Sequence, residues 1–263
     1  MTDLPDIETF RAAMSGPGFY IFENFVPYDL IAAMRRDLDQ SWRTCAAIQR
    51  ANLPDQDAEL TVHHLVGQGD SFLEYLSLSE ALNPYINDCF SGPYVLNSFG
   101  GAINSPGWTS YAHRIHRDVR TYSPSLRLLL NTLVMLDDFT EDNGATWLLP
   151  GGQKLESAPS EEEFYRLAQR AVAPAGSVLI FDSNLWHAGG NNKTSSPRRS
   201  VTPMYCRPFV KPQFDYPRVL GLDRAVQFSD HLKQVIGYNA RIPATLDEWY
   251  QPPEKRAYRR DQG

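Results

Sequence analysis

A chain of 263 residues with a formal charge of −6 lacks the basic balance expected where nucleic acid or an anionic membrane is the main partner. Its 42% hydrophobic and 12% aromatic content supports a sizeable core and excludes a disordered chain. Cys45, Cys89 and Cys206 are widely spaced, odd in number and form no CxxC, which points away from a disulfide framework or thiolate zinc site and toward reduced thiols. The acidic start Met1-Thr2-Asp3-Leu4-Pro5-Asp6 does not read as a signal peptide, and no apolar run reaches the ~18 residues that span a bilayer. A soluble, cytoplasmic protein is expected.

In chain order, residues 6–15 read as a helix and Gly18 to Phe22 as a strand. Pro27-Tyr28-Asp29 opens a helix in which Leu30, Met34 and Leu38 form an apolar stripe opposite Arg35, Arg36 and Asp39. The polar stretch 51–69, with His63 and His64, is either a lid over a site or a plain surface connection. Ser71-Phe72-Leu73-Glu74 has the form of a capping box, which accounts for Ser71 without an esterase, and a further helix is expected over about 79–90.

The period then changes. Tyr94 to Phe99, Ser110 to Ile115, Leu126 to Leu136, Ala145 to Leu149, Val178 to Phe181 and Arg198 to Tyr205 read as strands between turn residues, with one helix capped by Ser160 among them. A last helix is expected near Asp223 to Ile236, and the tail from Gln251 reads as loosely attached. The expected fold is therefore mainly β with flanking helices (α+β), a sandwich or barrel. One domain over 1–263 is the simplest division, with a helical region over about 6–90, a β core over about 93–210 and an extension over about 211–263.

The chemistry centres on His116-x-Asp118. On a strand, residues two apart share a face, so an imidazole and a carboxylate converge. His187 follows the strand Val178 to Phe181 in a loop of small residues and supplies a third ligand. Two His and one carboxylate with open positions match the facial triad of non-heme Fe(II) oxygenases, whereas a structural zinc site would be closed by four ligands. Arg198 and Arg199 lie beyond His187 on opposite faces of a strand. Either could hold a carboxylate in two hydrogen bonds, and alternation alone does not choose between them.

His113, an odd number of residues from His116, is expected to face away in a structural role. Asn131 interrupts the apolar run Leu128 to Leu133 and reads equally as an amide facing a co-substrate or as part of a satisfied core network. Trp147, Trp186 and Tyr111 read as packing more than pocket. Arg114, Arg117, Arg120 and Arg127 form either a solvated face or a site for an anionic substrate.

Together, His116-Arg117-Asp118, His187 followed by Asn192-Lys193-Thr194 and Arg198, Leu136-Asp137-Asp138 with Glu141-Asp142-Asn143-Gly144, and the Pro150-Gly151 turn resemble the phytanoyl-CoA dioxygenase family. The resemblance covers about residues 15 to 210. It implies a double-stranded β-helix (jelly-roll), with Fe(II) on His116, Asp118 and His187, 2-oxoglutarate as co-substrate and O2 as oxidant. It also selects Arg198 as the partner of the 2-oxoglutarate carboxylate and marks Asn97 as an amide position contacting that co-substrate. The family's Pro-Gly-Ser-His is Pro150-Gly151-Gly152-Gln153 here. The retained Asp118 favours oxygenation, because halogenating relatives replace this carboxylate with a small residue. Hydroxylation of a small-molecule substrate with release of succinate and CO2 is the implied reaction. A jelly-roll binding or regulatory protein without turnover and a zinc-dependent hydrolase are the alternatives.

Overall fold

A computed structural model describes residues 4–55 and 60–262. The first half is largely helical: α1 (Ile7–Ser15), strand β1 (Phe19–Phe22), the 25-residue α2 (Tyr28–Asn52), β2 (Thr61–Val62), α3 (Asp70–Leu78) and α4 (Asn83–Phe90). Then come β3 (Val95–Asn104), β4 (Leu129–Met135), β5 (Trp147–Leu148), α5 (Glu161–Leu167), β6 (Gln169–Arg170), β7 (Val178–Asp182), β8 (His187–Ala188) and β9 (Arg198–Cys206). Short helices α6 (Tyr216–Leu220), α7 (Asp230–Ile236) and α8 (Leu246–Trp249) complete the chain.

The strands form two antiparallel sheets, a six-stranded one in the order β1-β7-β4-β9-β3-β2 and a three-stranded one in the order β6-β5-β8. This is the expected jelly-roll type of core with helices outside it. Strand alternation assigns the faces of the large sheet. Leu130, Val134, Val178, Ile180, Val201 and Tyr205 join Met34 and Leu38 of α2 and Phe72 and Leu76 of α3 in the outer core. Leu133, Met135, Leu179 and Phe181 turn inward, toward Phe139, Leu148 and Leu185. The register Val134↔Val201 and Leu133↔Leu179 keeps like with like, and burying each such side chain contributes roughly 1.5–3 kcal/mol. Gly101 on β3 lets α2 pack close, since a Cβ there would lie 2.6 Å from Leu38 Cδ1 and displace that side chain. Arg35 fastens α2 further, donating to the Leu136 carbonyl (2.6 Å) and pairing with Asp137 (2.9 Å).

Several expectations change. Ser110 to Ile115 is not a strand: Tyr111 to His113 form a 3-10 turn in which the Ser110 hydroxyl accepts from Ala112 N and His113 Nδ1 accepts from Ser110 N. These local side-chain bonds outcompete a ladder. Ser71 does not cap α3; Asp37 of α2 does, accepting from both Ser71 N (3.2 Å) and Ser71 Oγ (2.6 Å). The helix expected over 223–236 divides into a 3-10 segment (Leu222–Gln227) and α7, whose cap is Ser229. The tail is held: Arg241 N donates to Ala257 O (3.0 Å), Arg259 N to Asn239 O (2.9 Å), and Gln262 is buried against Gln234. In the stretch 51–69, Leu65 and Val66 are fully buried and β2 pairs with β3, while residues 56–59 of the expected lid lie outside the described residues. Among the described residues, no helix is long and apolar enough to cross a membrane.

Candidate metal centre

His116 and His187 meet as a single antiparallel bridge, each N–H donating to the other's carbonyl at 2.9 Å. The chain then bends so that Asp118 N and Val119 N both donate to Ser183 O, at 3.1 and 3.2 Å. Those four main-chain bonds bring together the three side chains expected from the sequence. The imidazole centroids are 4.2 Å apart. Asp118 Oδ1 lies 3.5 Å from His116 Nε2, and Asp118 Oδ2 lies 3.6 Å from His187 Nε2. All three ligand atoms fall within 4.8 Å of one another, a spacing that one ion can bridge.

The donor set fits a divalent metal. His116 Nδ1 donates to Arg114 O (2.7 Å) and His187 Nδ1 to Leu185 O (2.9 Å), which leaves both Nε2 lone pairs facing Asp118. Burial holds His187 neutral down to about pH 4, although Asp118 pulls the other way. Burial opposes ionisation of Asp118, but His187, His116 and the Asn131 amide outweigh it and set its carboxyl at about 2. His116 also loses from burial, yet its bond to Asp118 raises it above the ordinary histidine value.

Asn131, on the inner face of β4, reaches this carboxylate: its Nδ2 donates to Asp118 Oδ2 and its Oδ1 accepts from Ser183 Oγ at 3.1 Å. Ser183 was not singled out from sequence, though its neighbours Asp182 and Asn184 form a polar cluster just ahead of His187. Asn97 sits at a bulge of β3 and donates to Lys211 O (3.4 Å); it bonds neither Asp118 nor Arg198.

Arg198 is 5% exposed, and its guanidinium rests 4.0 Å from the Phe139 ring. Its Nε has no hydrogen-bond partner and, among the described residues, no carboxylate lies within ion-pairing distance. Burial lowers its pKa to about 10, partly offset by Asp137. A buried, unpaired cation is costly and calls for an anion. Arg199, on the opposite face, is already neutralised by Asp39 (2.9 Å) and Asp137 (3.7 Å).

The remaining expected residues disperse. His113 Nδ1 accepts from Ser110 N (3.0 Å), while its Nε2 is buried without a hydrogen-bond partner. Trp186 donates to Leu155 O (3.1 Å) and packs beside Phe164, Trp147 lies under Arg170, and Tyr111 is exposed. Arg127 is consumed by Asp182 (2.8 Å) and the Cys89 carbonyl, and Arg117 lies over Tyr122 and Trp186.

A jelly-roll core carrying two histidines, one aspartate and a buried unpaired arginine defines the class of Fe(II)- and 2-oxoglutarate-dependent oxygenases. The family model "Phytanoyl-CoA dioxygenase (PhyH)" matches residues 14–200, and the chain belongs to that family. It is 29% identical over 264 residues to an uncharacterized protein of Mycobacterium tuberculosis, covering 98% of this chain and 96% of that one. An iron/alpha-ketoglutarate-dependent dioxygenase of Aspergillus calidoustus is 28% identical over 208 residues, 73% of this chain and 67% of that one. Among solved structures, EctD from S. alaskensis with 2-oxoglutarate and 5-hydroxyectoine superposes with a TM-score of 0.63 at 19% identity, covering 78% of each chain. That likeness speaks to the fold.

Proposed function

We propose that this chain hydroxylates an unactivated C–H bond of a small-molecule metabolite or natural-product intermediate, using 2-oxoglutarate and O2 and releasing succinate and CO2. His116, Asp118 and His187 hold Fe(II), and Arg198 pairs with the distal carboxylate of 2-oxoglutarate. The carrying observation is the convergence of two preset imidazole lone pairs and one low-pKa carboxylate, beside which stands the buried Arg198, packed on Phe139 of the inner cluster with no carboxylate partner among the described residues.

Fe(II) held by His116, Asp118 and His187 would supply O2 activation coupled to oxidative decarboxylation of 2-oxoglutarate to succinate and CO2. The side chains prepare for this. Both histidines are oriented by main-chain carbonyls, so neither ring must turn on binding. Asn131, itself fixed by Ser183, holds Asp118 from the sheet side and leaves its other face free for the metal. Arg198 offers a charged fork, packed against Phe139, that would receive the distal carboxylate of 2-oxoglutarate. Phe181, 5.0 Å from the His187 ring, and the inward Leu133, Met135 and Leu179 exclude water from one side of the centre. The named dioxygenase relative supports the same co-substrate for this chain.

The test is anaerobic addition of Fe(II) and then 2-oxoglutarate, read as a visible charge-transfer band, followed by O2 and measurement of succinate. Wild-type protein develops the band and releases succinate, and His116→Ala does neither. A band without succinate under any substrate pool would favour a binding protein. Hydrolysis supported by zinc, without a band, would favour the hydrolase.

A further inference from the structure

The C-terminal extension builds a second concavity on elements packed against the outer face of the large sheet, through Leu232, Val235 and Ile236 of α7. The metal ligands gather on the inner side. A cavity of about 230 Å³ there is lined by Lys233, Arg241, Lys255, Arg256 and Arg259 against one carboxylate, Glu254. Five cations to one acid is notable in a chain whose total charge is −6.

The cluster is held in place by the fold. The Ala240↔Tyr258 bridge, with Arg241 N bonded to Ala257 O and Arg259 N to Asn239 O, draws the basic segments together. Arg241 Nε is bound to Tyr238 O (3.2 Å) and Arg256 Nε to Gln251 O (3.0 Å), so main-chain carbonyls orient both guanidinium groups. Among the described residues, Arg241, Lys255, Arg256 and Arg259 have no carboxylate within ion-pairing distance, and Lys233 pairs only with the fully exposed Asp230. Like charges placed together repel, and among the described residues Glu254 in the lining and Asp230 on Lys233 offset the five cations only in part.

Apolar surface adjoins the cations. Leu222, Val226 and Tyr238 line the same cavity. The connection between the two basic segments projects Ile242 (81% exposed), Leu246 (74%) and Tyr250 (77%) into solvent.

We propose that this cleft binds an organic phosphate, with the phosphate on the Arg241, Arg256 and Arg259 guanidinium groups and the organic part on Leu222 and Val226. Several planar guanidinium forks lining one concavity suit the many oxygens of a phosphate dianion better than a lone carboxylate. A free phosphorylated metabolite and the headgroup of an anionic phospholipid present this same chemistry.

The experiment uses the full chain with saturating 2-oxoglutarate, so that Arg198 is occupied. Pyrophosphate is titrated calorimetrically, and flotation with phosphatidylcholine vesicles, with and without phosphatidic acid, is measured in parallel. Saturable pyrophosphate binding that weakens with salt is expected, falling at least tenfold in Arg241→Gln/Arg259→Gln and in Lys255→Glu. Lys255→Glu disturbs no side-chain hydrogen bond of the fold, and circular dichroism checks both variants. Flotation dependent on phosphatidic acid and displaced by pyrophosphate assigns the lipid source; pyrophosphate binding without flotation assigns a free metabolite. Absence of both, or binding undiminished in both folded variants, overturns the proposal. Succinate release is a separate readout, so loss of the oxygenase reading leaves this result standing.

Discussion

Asn131 and Asp118 are joined side chain to side chain: the amide of one donates to the carboxylate of the other, and Ser183 anchors the amide from behind. The pair links the inner face of β4 to the turn that carries Asp118. Asn131→Leu removes the donor and leaves the carboxylate free to rotate. Fe(II) affinity is expected to fall ~10- to 100-fold, measured by anaerobic titration, while affinity for 2-oxoglutarate in the metal-loaded state changes much less. Asn131→Leu with unchanged Fe(II) affinity and weakened 2-oxoglutarate binding would assign the amide to the co-substrate instead.

Arg198 predicts opposite effects on binding and stability. Replacing it by Met removes a buried cation that the folded chain leaves without a partner. Apolar replacement of buried charge is often neutral or stabilising by ~1–4 kcal/mol, which for a chain of this size corresponds to a rise in Tm of about 2 °C or more. Loss of the 2-oxoglutarate carboxylate partner costs ~2–5 kcal/mol of binding. In thermal melts, 2-oxoglutarate with Fe(II) should raise the Tm of the wild type, while Arg198→Met starts higher and gains nothing from the ligand. A variant that melts lower and still responds to 2-oxoglutarate would contradict the assignment.

The grouping of His116, Asp118 and His187 was more legible than the structure that carries it. His116, Asp118 and His187 could be picked out because two histidines and a carboxylate flank strand-like, small-residue segments. A strand that puts His116 and Asp118 on one face is not what brings them together. A 3-10 turn occupies Tyr111 to His113, and convergence comes from one bridge and a bend onto Ser183 O. Alternation put Arg198 and Arg199 on opposite faces but could not say which face was inside, because that depends on α2 supplying Asp39 from far along the chain. Caps within three residues, such as Ser160 to Glu163, were readable. The tail was misread because its bonds run to Asn239 and Arg241, between exposed apolar residues that give no pattern.

The cysteines test the buried surface directly. Burial raises the thiols of Cys89 and Cys206 to about 12, and raises Cys45 as well. A thiol with a raised pKa yields thiolate only as pH climbs toward that value, so at pH 8 Cys89 and Cys206 remain almost wholly protonated. Iodoacetamide at pH 8 should leave both unmodified in the folded chain for hours, with Cys45, the partly exposed one, reacting first, and all three reacting in guanidinium. Mass spectrometry of the digest reads this out, and early labelling of Cys206 would show that β9 opens.

Asp37 and Ser71 give the clearest case of a local motif overridden by tertiary structure. Ser71 with Glu74 looks like a capping box, yet Ser71 lies inside α3 and donates its hydroxyl to Asp37. Asp37 stands in for the missing cap, placing a negative charge at the start of α3 and accepting one of its free N–H groups. Its carboxylate occupies the space that a Cβ on Gly69 would need, so the turn into α3 is built around it. Asp37→Ala should therefore cost ~1–2 kcal/mol, as loss of a cap does, and lower Tm by about 2–4 °C. Ser71→Ala keeps the bond from its own N–H and should cost less. Because both act through one carboxylate, the double variant should match Asp37→Ala alone. Additive losses in thermal melts would show that Ser71 contributes independently and that the cap is local after all.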